Sequence, residues 1–310
     1  MSAPRTLSAG EVRAAVPMGA AVDAVREAFR ELANGRFTQP NRLVFGDDAQ
    51  AVLVMSAHHQ PSGSAVVKTI GLVLDRVPAI LGTLVWTDRD GQLVADASTV
   101  TTLRTGAVAG VATDLLAPPD ARRLTLLGAG AQAADQVRAV LAVREIRELT
   151  VFNRDRAKAE ALVTGLAAEF PWLSGRVAAS AEEAVGQAQI VCCATSSSTP
   201  LFDAAALPGR VHVNAIGSFR PSMRELPPEL LQAASAVVVD QLEAAVEEAG
   251  EIIHALDTGL LERAAIRELG PALADPPDRT GRTVFKSVGV AAQDWAIARL
   301  LAARIRAVTA

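Results

Sequence analysis

Tyrosine occurs nowhere among the 310 residues of this chain. Dehydrogenases that use a tyrosine hydroxyl as their proton donor are therefore excluded. Histidine is also scarce, and the four residues that occur show neither HxH nor HxxxH spacing: His58, His59, His212 and His254. Since the histidine ligands of zinc usually occur at such short spacings, the sequence predicts no metal site.

Cysteine is nearly absent. The only two, Cys192 and Cys193, are adjacent in the apolar segment QIVCCAT. Adjacent cysteines inside an apolar run are typical of core residues in a reduced protein, and not of a disulfide or a metal-binding pair. We therefore expect a cytoplasmic protein.

Long apolar runs and basic clusters are missing as well. The first residues, MSAPRTLSAGEVRAAVP, contain no continuous apolar stretch, and no apolar run of membrane-spanning length is free of charge. We expect neither a signal peptide nor a membrane span. With 30 Lys and Arg against 34 Asp and Glu and no basic run, we do not expect nucleic acid as a partner.

The first part of the chain predicts an α+β domain. Residues 21–34 place apolar side chains on one helical stripe. Short apolar segments follow (RLVFG, AVLVMSA, SAVVKTIGLV and AILGTLVWT), and the last continues through a DRDG turn into QLVADA, which predicts a β-hairpin. A long helix from Ser98 to Ala117 then ends at Pro118 and Pro119. We predict a domain over residues 1–118 with a mostly antiparallel sheet.

After Asp120 the sequence pattern changes to apolar strands that alternate with helices. Near-continuous apolar strands (LTLLG, LTVFN, RVAAS, QIVCCAT, VHVNAIG and SAVVVD) have helical segments between most of them. This pattern predicts an α/β domain over residues 119–289 with a doubly wound parallel sheet of Rossmann type. The end of the chain predicts a strand and then a helix at about residues 290–310, which we assign to the first domain.

The segment LTLLGAGAQA carries a phosphate-binding pattern. Gly128, Gly130 and Ala133 have GxGxxA spacing, directly after an apolar strand and at the start of a helix. Gly128 allows a tight turn, Gly130 lets the backbone approach a pyrophosphate, and Ala133 permits close helix–strand packing. The helix N-terminus offers amide donors to phosphates. We assign NAD(P) contacts to Gly128, Gly130, Ala131, Gln132 and Ala133.

The next strand ends where enzymes that use NAD usually carry an acidic residue for the ribose hydroxyls. Here Asn153 and Arg154 occupy that place, and a guanidinium can bind a 2′-phosphate that a carboxylate would repel. We predict NADP(H) in preference to NAD(H), with Arg156 and Lys158 as further candidate contacts. The alternative is an ordinary solvated helix start, with Asp155 as its N-cap.

The strand QIVCCAT ends in small hydroxyl residues. Such a strand end can lie beside a cofactor without blocking it, and we assign Thr195 and Ser196 to the cofactor site. A simple polar turn is the alternative.

Three cations in the first domain lie among apolar or small residues. They are Arg42 in QPNRLVF, Lys68 in SAVVKTIGLV and Arg104 in TTLRTGAVAG. Lys68 is the most informative, because a lysine in the middle of an apolar strand must face a polar cleft or extend its ammonium to water. Spacing alone cannot bring the three together.

The order of several motifs resembles the ornithine cyclodeaminase/mu-crystallin family. These motifs are LRTGAVAGVATDLLA, LLGAGAQA, NAIGSFRPSMREL, VVVDQLEAAVEEAGEI and FKSVGVAAQDWA, which together span nearly the whole chain. The resemblance implies a homodimer built through the N-terminal domain and a Rossmann domain that binds NAD(P). It also implies that Arg42, Lys68 and Arg104 face the nicotinamide and hold a substrate α-carboxylate.

The loop NAIGSFRPSMREL separates two branches of that family. Members that cyclise ornithine carry an aspartate two residues after the glycine that matches Gly217, and this sequence has Phe219 there. Its GxxRPxxREL pattern is similar to that of the ketimine reductases. The resemblance therefore implies simple reduction of an imine, with Phe219 as an apolar wall of the substrate site.

The resemblance, together with these residues, implies an NAD(P)H-dependent imine reductase. We expect it to convert Δ1-pyrroline-2-carboxylate or Δ1-piperideine-2-carboxylate to L-proline or L-pipecolate, with Lys68 as the proton donor and Arg42 and Arg104 on the carboxylate. The alternatives are an amino-acid dehydrogenase acting on a 2-oxo acid such as pyruvate, ornithine cyclodeaminase, and a non-catalytic NADPH-dependent binder. Asp294 has at most a secondary role on this reading, and Glu248 and Glu251 have no assigned one.

Overall fold

A computed structural model describes residues 4–47, 50–73 and 80–309. The chain forms two compact units. One consists of Met1–Ala107 with Val290–Ala310, and the other of Val108–Gly289. The boundary between Ala107 and Val108 falls inside a continuous helix, Ala97–Leu116. It therefore lies before Pro118 and Pro119, which follow the end of that helix.

The helices and strands follow one another in this order. The first part of the chain contains β1 (Arg5–Leu7), α1 (Ala9–Ala15), α2 (Met18–Ala33), β2 (Phe37–Thr38), β3 (Leu43–Gly46), β4 (Gln50–His59), β5 (Ser64–Val73), β6 (Ile80–Asp88), β7 (Gly91–Asp96) and α3 (Ala97–Leu116). The remainder contains β8 (Arg123–Leu127), α4 (Ala133–Val143), β9 (Glu148–Phe152), α5 (Arg156–Glu169), β10 (Ser174–Val177), α6 (Ala181–Val185), β11 (Ile190–Cys193), β12 (Val211–Ala215), α7 (Pro228–Ala233), β13 (Ala236–Val239), α8 (Leu242–Glu248), α9 (Gly250–Asp257), β14 (Ile266–Glu268), α10 (Leu269–Ala274), β15 (Arg282–Lys286) and α11 (Ala291–Thr309).

The sheet of the first unit has the strand order β1-β7-β6-β5-β4-β2, with β3 also paired to β4. Only β1 and β7 are parallel among these pairs, so the expected mostly antiparallel sheet is confirmed. The predicted hairpin joins β6 and β7, and Asp88 Oδ1 accepts a hydrogen bond of 2.9 Å from the Asp90 amide in its turn.

Burial alternates along β5, which places Lys68 on the inward face of the sheet. Val66, Lys68 and Ile70 are buried, whereas Val67 between them is 42% exposed. Helix α11 packs on β4, β5 and β6, and against α2. Its Trp295 indole donates a hydrogen bond of 2.8 Å to Ser64 Oγ at the start of β5. The N-terminal turn of α11 is therefore anchored to the same strand that carries Lys68.

The sheet of the second unit is parallel throughout, in the order β10-β9-β8-β11-β12-β15-β13-β14. The predicted doubly wound Rossmann sheet is confirmed. The strand order reverses between β8 and β11, and ligands of such sheets bind beyond the carboxyl ends of the strands at this switch point. Cys192 and Cys193 lie fully buried and unbridged in β11, as the sequence predicts. Over the described ranges, no helix is both long enough and apolar enough to cross a membrane.

Candidate active site

Lys68 and Asp294 form a buried ion pair in the first unit. The Lys68 ammonium donates to Asp294 Oδ1 over 2.8 Å, and neither residue has any exposed surface. Lys68 comes from the inward face of β5 and Asp294 from the first turn of α11. A charge so deeply buried is tolerated only with a partner of opposite sign, which explains why each residue requires the other.

Arg104 joins this pair from helix α3. Its Nε lies 3.6 Å from Asp294 Oδ1, and its Nη1 donates to Gln293 Oε1 over 2.9 Å. Two of the three cations that the sequence suggests for the substrate site, Lys68 and Arg104, therefore meet at one carboxylate. The third, Arg42, is partly buried, and its positive charge acts on Lys68.

The surroundings of Lys68 change its acidity. Burial lowers the pKa of the ammonium to about 8, because a dry environment disfavours the charged form. The Asp294 carboxylate opposes this shift, whereas the positive charges of Arg104 and Arg42 add to it. A lysine of this acidity can release a proton near neutral pH.

Two polar atoms beside this cluster make no hydrogen bond with any described residue. They are Asp294 Oδ2, an acceptor, and Gln293 Nε2, a donor, and both are buried. Buried polar atoms in native proteins are nearly always paired, so such orphans indicate a ligand or water that completes the site. A small molecule that carries both a carboxylate and an N–H group matches this pattern.

The phosphate loop of the second unit has the geometry that its sequence predicts. Gly128 has φ +101°, and a Cβ there would lie 2.6 Å from the Ala194 carbonyl oxygen, so only glycine fits. A Cβ on Gly130 would meet nothing within 4 Å, which leaves its backbone open to a ligand. A cavity of about 370 Å³ lies here, and it is lined by Leu127, Gly128, Ala129, Gly130, Phe152, Asn153, Arg154, Ala194, Thr195, Ser196, Ser197, Thr199, Pro200 and Leu201. The open loop and the cavity fit a dinucleotide.

The other residues of the predicted phosphate loop lie outside the lining of this cavity. Ala131 is exposed, and Gln132 is the N-cap residue of α4. Ala133 is fully buried in the core beneath the loop, where a small side chain is needed.

Asn153 and Arg154 have different surroundings at the end of β9. The Asn153 side chain accepts a hydrogen bond of 3.1 Å from the Ala129 amide and donates one of 2.8 Å to the Asp155 carbonyl, so it supports the phosphate loop. Arg154 is exposed and lines the cavity. Asp155 is the N-cap of α5, as the alternative reading of this segment expects. Arg156 pairs with Glu160 over 2.8 Å on the same helix.

The wall of the cavity at the end of β11 is held by a carboxylate that sequence reasoning did not identify. Glu225 is fully buried, and its Oε1 accepts hydrogen bonds from the Thr195 amide at 2.6 Å and the Thr195 hydroxyl at 2.9 Å. Ser196, next to Thr195, also lines the cavity. Burial raises the pKa of Glu225, and the Lys286 ammonium lowers it.

The loop after β12 carries Phe219. This side chain is partly buried, and the Arg220 guanidinium lies 5.6 Å from the centre of its ring. Ser218 beside it is fully buried, so the base of the loop is packed in the interior of the second unit.

Sequence reasoning missed or undervalued several buried polar residues. Asp294 was expected to have a secondary role, yet it is the shared partner of Lys68 and Arg104. Lys286 is a fully buried lysine in the apolar strand TVFKSVG, and Glu251 lies 3.4 Å from its ammonium. The signal that singles out Lys68, a lysine within an apolar strand, is present at Lys286 too.

Comparisons with known proteins find relatives that match nearly the whole chain. The family model described as "Ornithine cyclodeaminase/mu-crystallin family" matches residues 4–308. The Δ1-pyrroline-2-carboxylate reductase of Bacillus cereus (strain ATCC 10987 / NRS 248) is 36% identical, and the match covers 95% of this chain and 94% of that protein.

Two solved structures have the same fold along nearly the whole chain. The Thermococcus litoralis Δ1-pyrroline-2-carboxylate reductase in complex with NADH and L-proline has a TM-score of 0.92 and 27% identity, and the match covers 97% of each chain. An archaeal alanine dehydrogenase dimer with bound NAD has a TM-score of 0.90 and 27% identity, and the match covers 99% of this chain and 97% of the other.

Proposed function

This chain belongs to the ornithine cyclodeaminase/mu-crystallin family, and we propose that it reduces a cyclic imino acid with a nicotinamide cofactor. The substrate is Δ1-pyrroline-2-carboxylate or Δ1-piperideine-2-carboxylate, and the product is L-proline or L-pipecolate. The observation that carries the proposal is the buried cluster of Lys68, Arg104 and Asp294 with its two unpaired polar atoms. The names of the Bacillus and Thermococcus relatives support the same reaction.

Charge favours a carboxylate in the first unit. Lys68 and Arg104 both approach Asp294, and the positive charge of Arg42 also acts on Lys68. A guanidinium can bind a carboxylate through two parallel hydrogen bonds. We assign the substrate carboxylate to Arg42 and Arg104, with the buried Gln293 amide as a further donor.

Lys68 is the proposed proton donor. A reduced nicotinamide, when bound, supplies the hydride that the imine carbon accepts. The imine nitrogen takes one proton, so the substrate gains two hydrogens and becomes a secondary amine. Lys68 has a pKa of about 8, which leaves it protonated at neutral pH yet acidic enough to give up the proton. Asp294 holds the ammonium in place, and its second oxygen is an acceptor for the N–H of the product amine.

The cofactor residues lie in the second unit. Gly128 and Gly130 leave the backbone open for phosphates, and Thr195 and Ser196 line the same cavity. We propose NADP(H) as the preferred form, because the exposed Arg154 guanidinium lies at the cavity and no carboxylate occupies the end of β9. Asn153 contributes indirectly, since its side chain already holds the loop.

We also propose a homodimer formed through the first unit. One side of its sheet carries exposed apolar side chains, here called the apolar outer face, and each is between 37% and 57% exposed: Leu43, Phe45, Val52, Val67 and Leu81. Val52 and Leu81 are both paired with Gly71, so they flank the same point of β5. Contiguous apolar patches of this kind are typical of protein interfaces, and the archaeal alanine dehydrogenase relative is a dimer.

An assay of cofactor oxidation tests the reaction. The purified chain would be mixed with NADPH or NADH and then with each cyclic imine, with pyruvate alone, or with pyruvate and ammonium. We expect oxidation with a cyclic imine, faster with NADPH than with NADH. Oxidation that requires both pyruvate and ammonium would assign the chain instead to the amino-acid dehydrogenases. Ammonia released from ornithine with NAD⁺ would assign it to the cyclodeaminases, which Phe219 argues against.

A further inference from the structure

Glu225 connects two strand ends of the Rossmann sheet through one carboxylate. Its Oε1 accepts from the amide and hydroxyl of Thr195, just beyond β11. Its Oε2 accepts from the amides of Gly217 at 2.7 Å and Ser218 at 3.2 Å, just beyond β12. A carboxylate has about four acceptor positions, and all are used here.

The two strand ends approach each other so closely that only a glycine fits at one of them. A Cβ on Gly217 would overlap the backbone N and O of Thr195 and would lie 2.6 Å from Glu225 Oε1. Three of the four donors are backbone amides, which cannot rotate away. The Glu225 carboxyl group therefore links Thr195 to the base of the loop that carries Phe219.

A second buried group supports the same loop. The Lys286 ammonium donates to the Ser218 carbonyl at 2.5 Å and the Ser218 hydroxyl at 2.6 Å, and that hydroxyl donates to Glu251 Oε2 at 2.6 Å. Ser218 is thus held from both sides, by Glu225 at its amide and by Lys286 and Glu251 at its other polar atoms. Such a network defines a single loop conformation when all its members are satisfied.

We propose that Glu225 is a positioning residue that holds the Thr195 wall of the cofactor cavity and the Phe219 loop in one fixed arrangement. The inference rests on the proposed function, because it assigns the cavity to the nicotinamide cofactor and the loop to the imine. Glu225 itself is not among the residues that line the cavity. It acts through Thr195, which lines the cavity, and through Gly217 and Ser218, which begin the loop.

Glu225→Gln tests this role at constant side-chain size. An amide has one acceptor oxygen, so its NH₂ group would face the donors of either Thr195 or Gly217. Leaving buried donors unpaired is costly, and one strand end would move away from the other. We expect the dissociation constant for NADPH, measured by calorimetry, and the KM for the imine to rise about tenfold or more, with kcat at saturation changed less. Glu225→Asp keeps both acceptors and should recover part of the cofactor affinity.

Glu268→Gln is the matched control. Glu268 also accepts a backbone amide, that of Leu242 at 2.7 Å, but it ends β14 at the far edge of the same sheet. We expect this variant to bind NADPH as the wild type does. If Glu225→Gln does not fold, Glu225→Asp decides the question, because its carboxylate is one methylene shorter and should weaken NADPH binding relative to the wild type; wild-type affinity would contradict the inference.

A folded Glu225→Gln protein with a lower melting temperature and wild-type affinity for NADPH would overturn the inference, because Glu225 would then be merely structural. That outcome leaves imine reduction by the wild type intact. A wild type that binds NADPH but reduces no imine would instead contradict the proposed function, while the NADPH affinities of the variants would still test the role of Glu225.

Discussion

Lys68 and Asp294 meet inside the first unit with 2.8 Å between Nζ and Oδ1, although 226 positions separate them in the sequence. The pair fixes the position of Lys68, and burial lowers the pKa of its ammonium to about 8; a general acid needs both properties. Asp294 opposes the effect of burial, so the aspartate keeps the ammonium charged while its surroundings make it acidic.

The first prediction concerns Lys68 as the acid. Lys68→Ala should lower kcat for imine reduction by about a hundredfold or more, because general acids typically contribute that much. The dissociation constant for NADPH should stay near the wild-type value. Steady-state kinetics and calorimetry measure the two quantities.

Lys68→Arg is the matched control for this prediction. Arginine preserves the positive charge beside Asp294 but does not release its proton in proteins. We expect it to be as inactive as Lys68→Ala. A Lys68→Arg enzyme with wild-type kcat would reduce the role of Lys68 to electrostatics, and an unchanged Lys68→Ala enzyme would remove it from the reaction.

The second prediction concerns pH. The reduction needs protonated Lys68, so kcat/KM should fall as the pH rises through about 8, the pKa of this group. Asp294 raises that pKa, and Asp294→Asn should therefore move the fall to lower pH. Profiles of the two enzymes on the same imine isolate the effect, because the titration of the substrate is common to both. Superimposed profiles would show that Asp294 does not act on the acid.

The third prediction concerns cofactor choice. Arg154→Asp should change the ratio of kcat/KM for NADPH to that for NADH by about tenfold or more towards NADH, because a charge-assisted contact with the 2′-phosphate is replaced by repulsion. Arg176→Asp makes the same change of charge at the outer strand β10, where Arg176 pairs with Glu183 over 2.7 Å. The control should leave the ratio unchanged. An equal shift in both variants would indicate a long-range charge effect and not a contact of Arg154.

The fourth prediction concerns the apolar outer face. Phe45→Glu places a charge on a side chain that is 57% exposed in one chain, so it should leave the fold intact and weaken the dimer. Light scattering after size-exclusion chromatography should give a dimer for the wild type and a shift towards monomer for the variant. Trp172→Glu, at a residue that is 55% exposed in the second unit, is the control and should remain dimeric. A monomeric wild type would contradict the proposal.

Much of the fold could be predicted because its signals are local. Apolar alternation, the DRDG turn and Pro118 predict the elements of the first unit, and near-continuous apolar strands predict the parallel sheet of the second. The short strands β1 and β14 have three residues each and no apolar run, so they form only because a longer neighbour offers hydrogen bonds. The phosphate loop could be predicted for the same local reason, since its glycines are required by a turn and a close approach within a few residues.

The sequence by itself determined which residue types are available: no tyrosine, a lysine within an apolar strand, and a glycine-rich turn after β8. Only the tertiary structure decided which of them act together. Asp294 has an ordinary local explanation as an acidic residue in the first turn of a helix, and its pairing with Lys68 requires α11 to pack on β5. Glu225 likewise joins two strand ends that are close in space but distant in the sequence. Ion pairing and hydrogen bonding depend on distances between atoms, and these distances are set by packing across the fold and not by spacing along the chain.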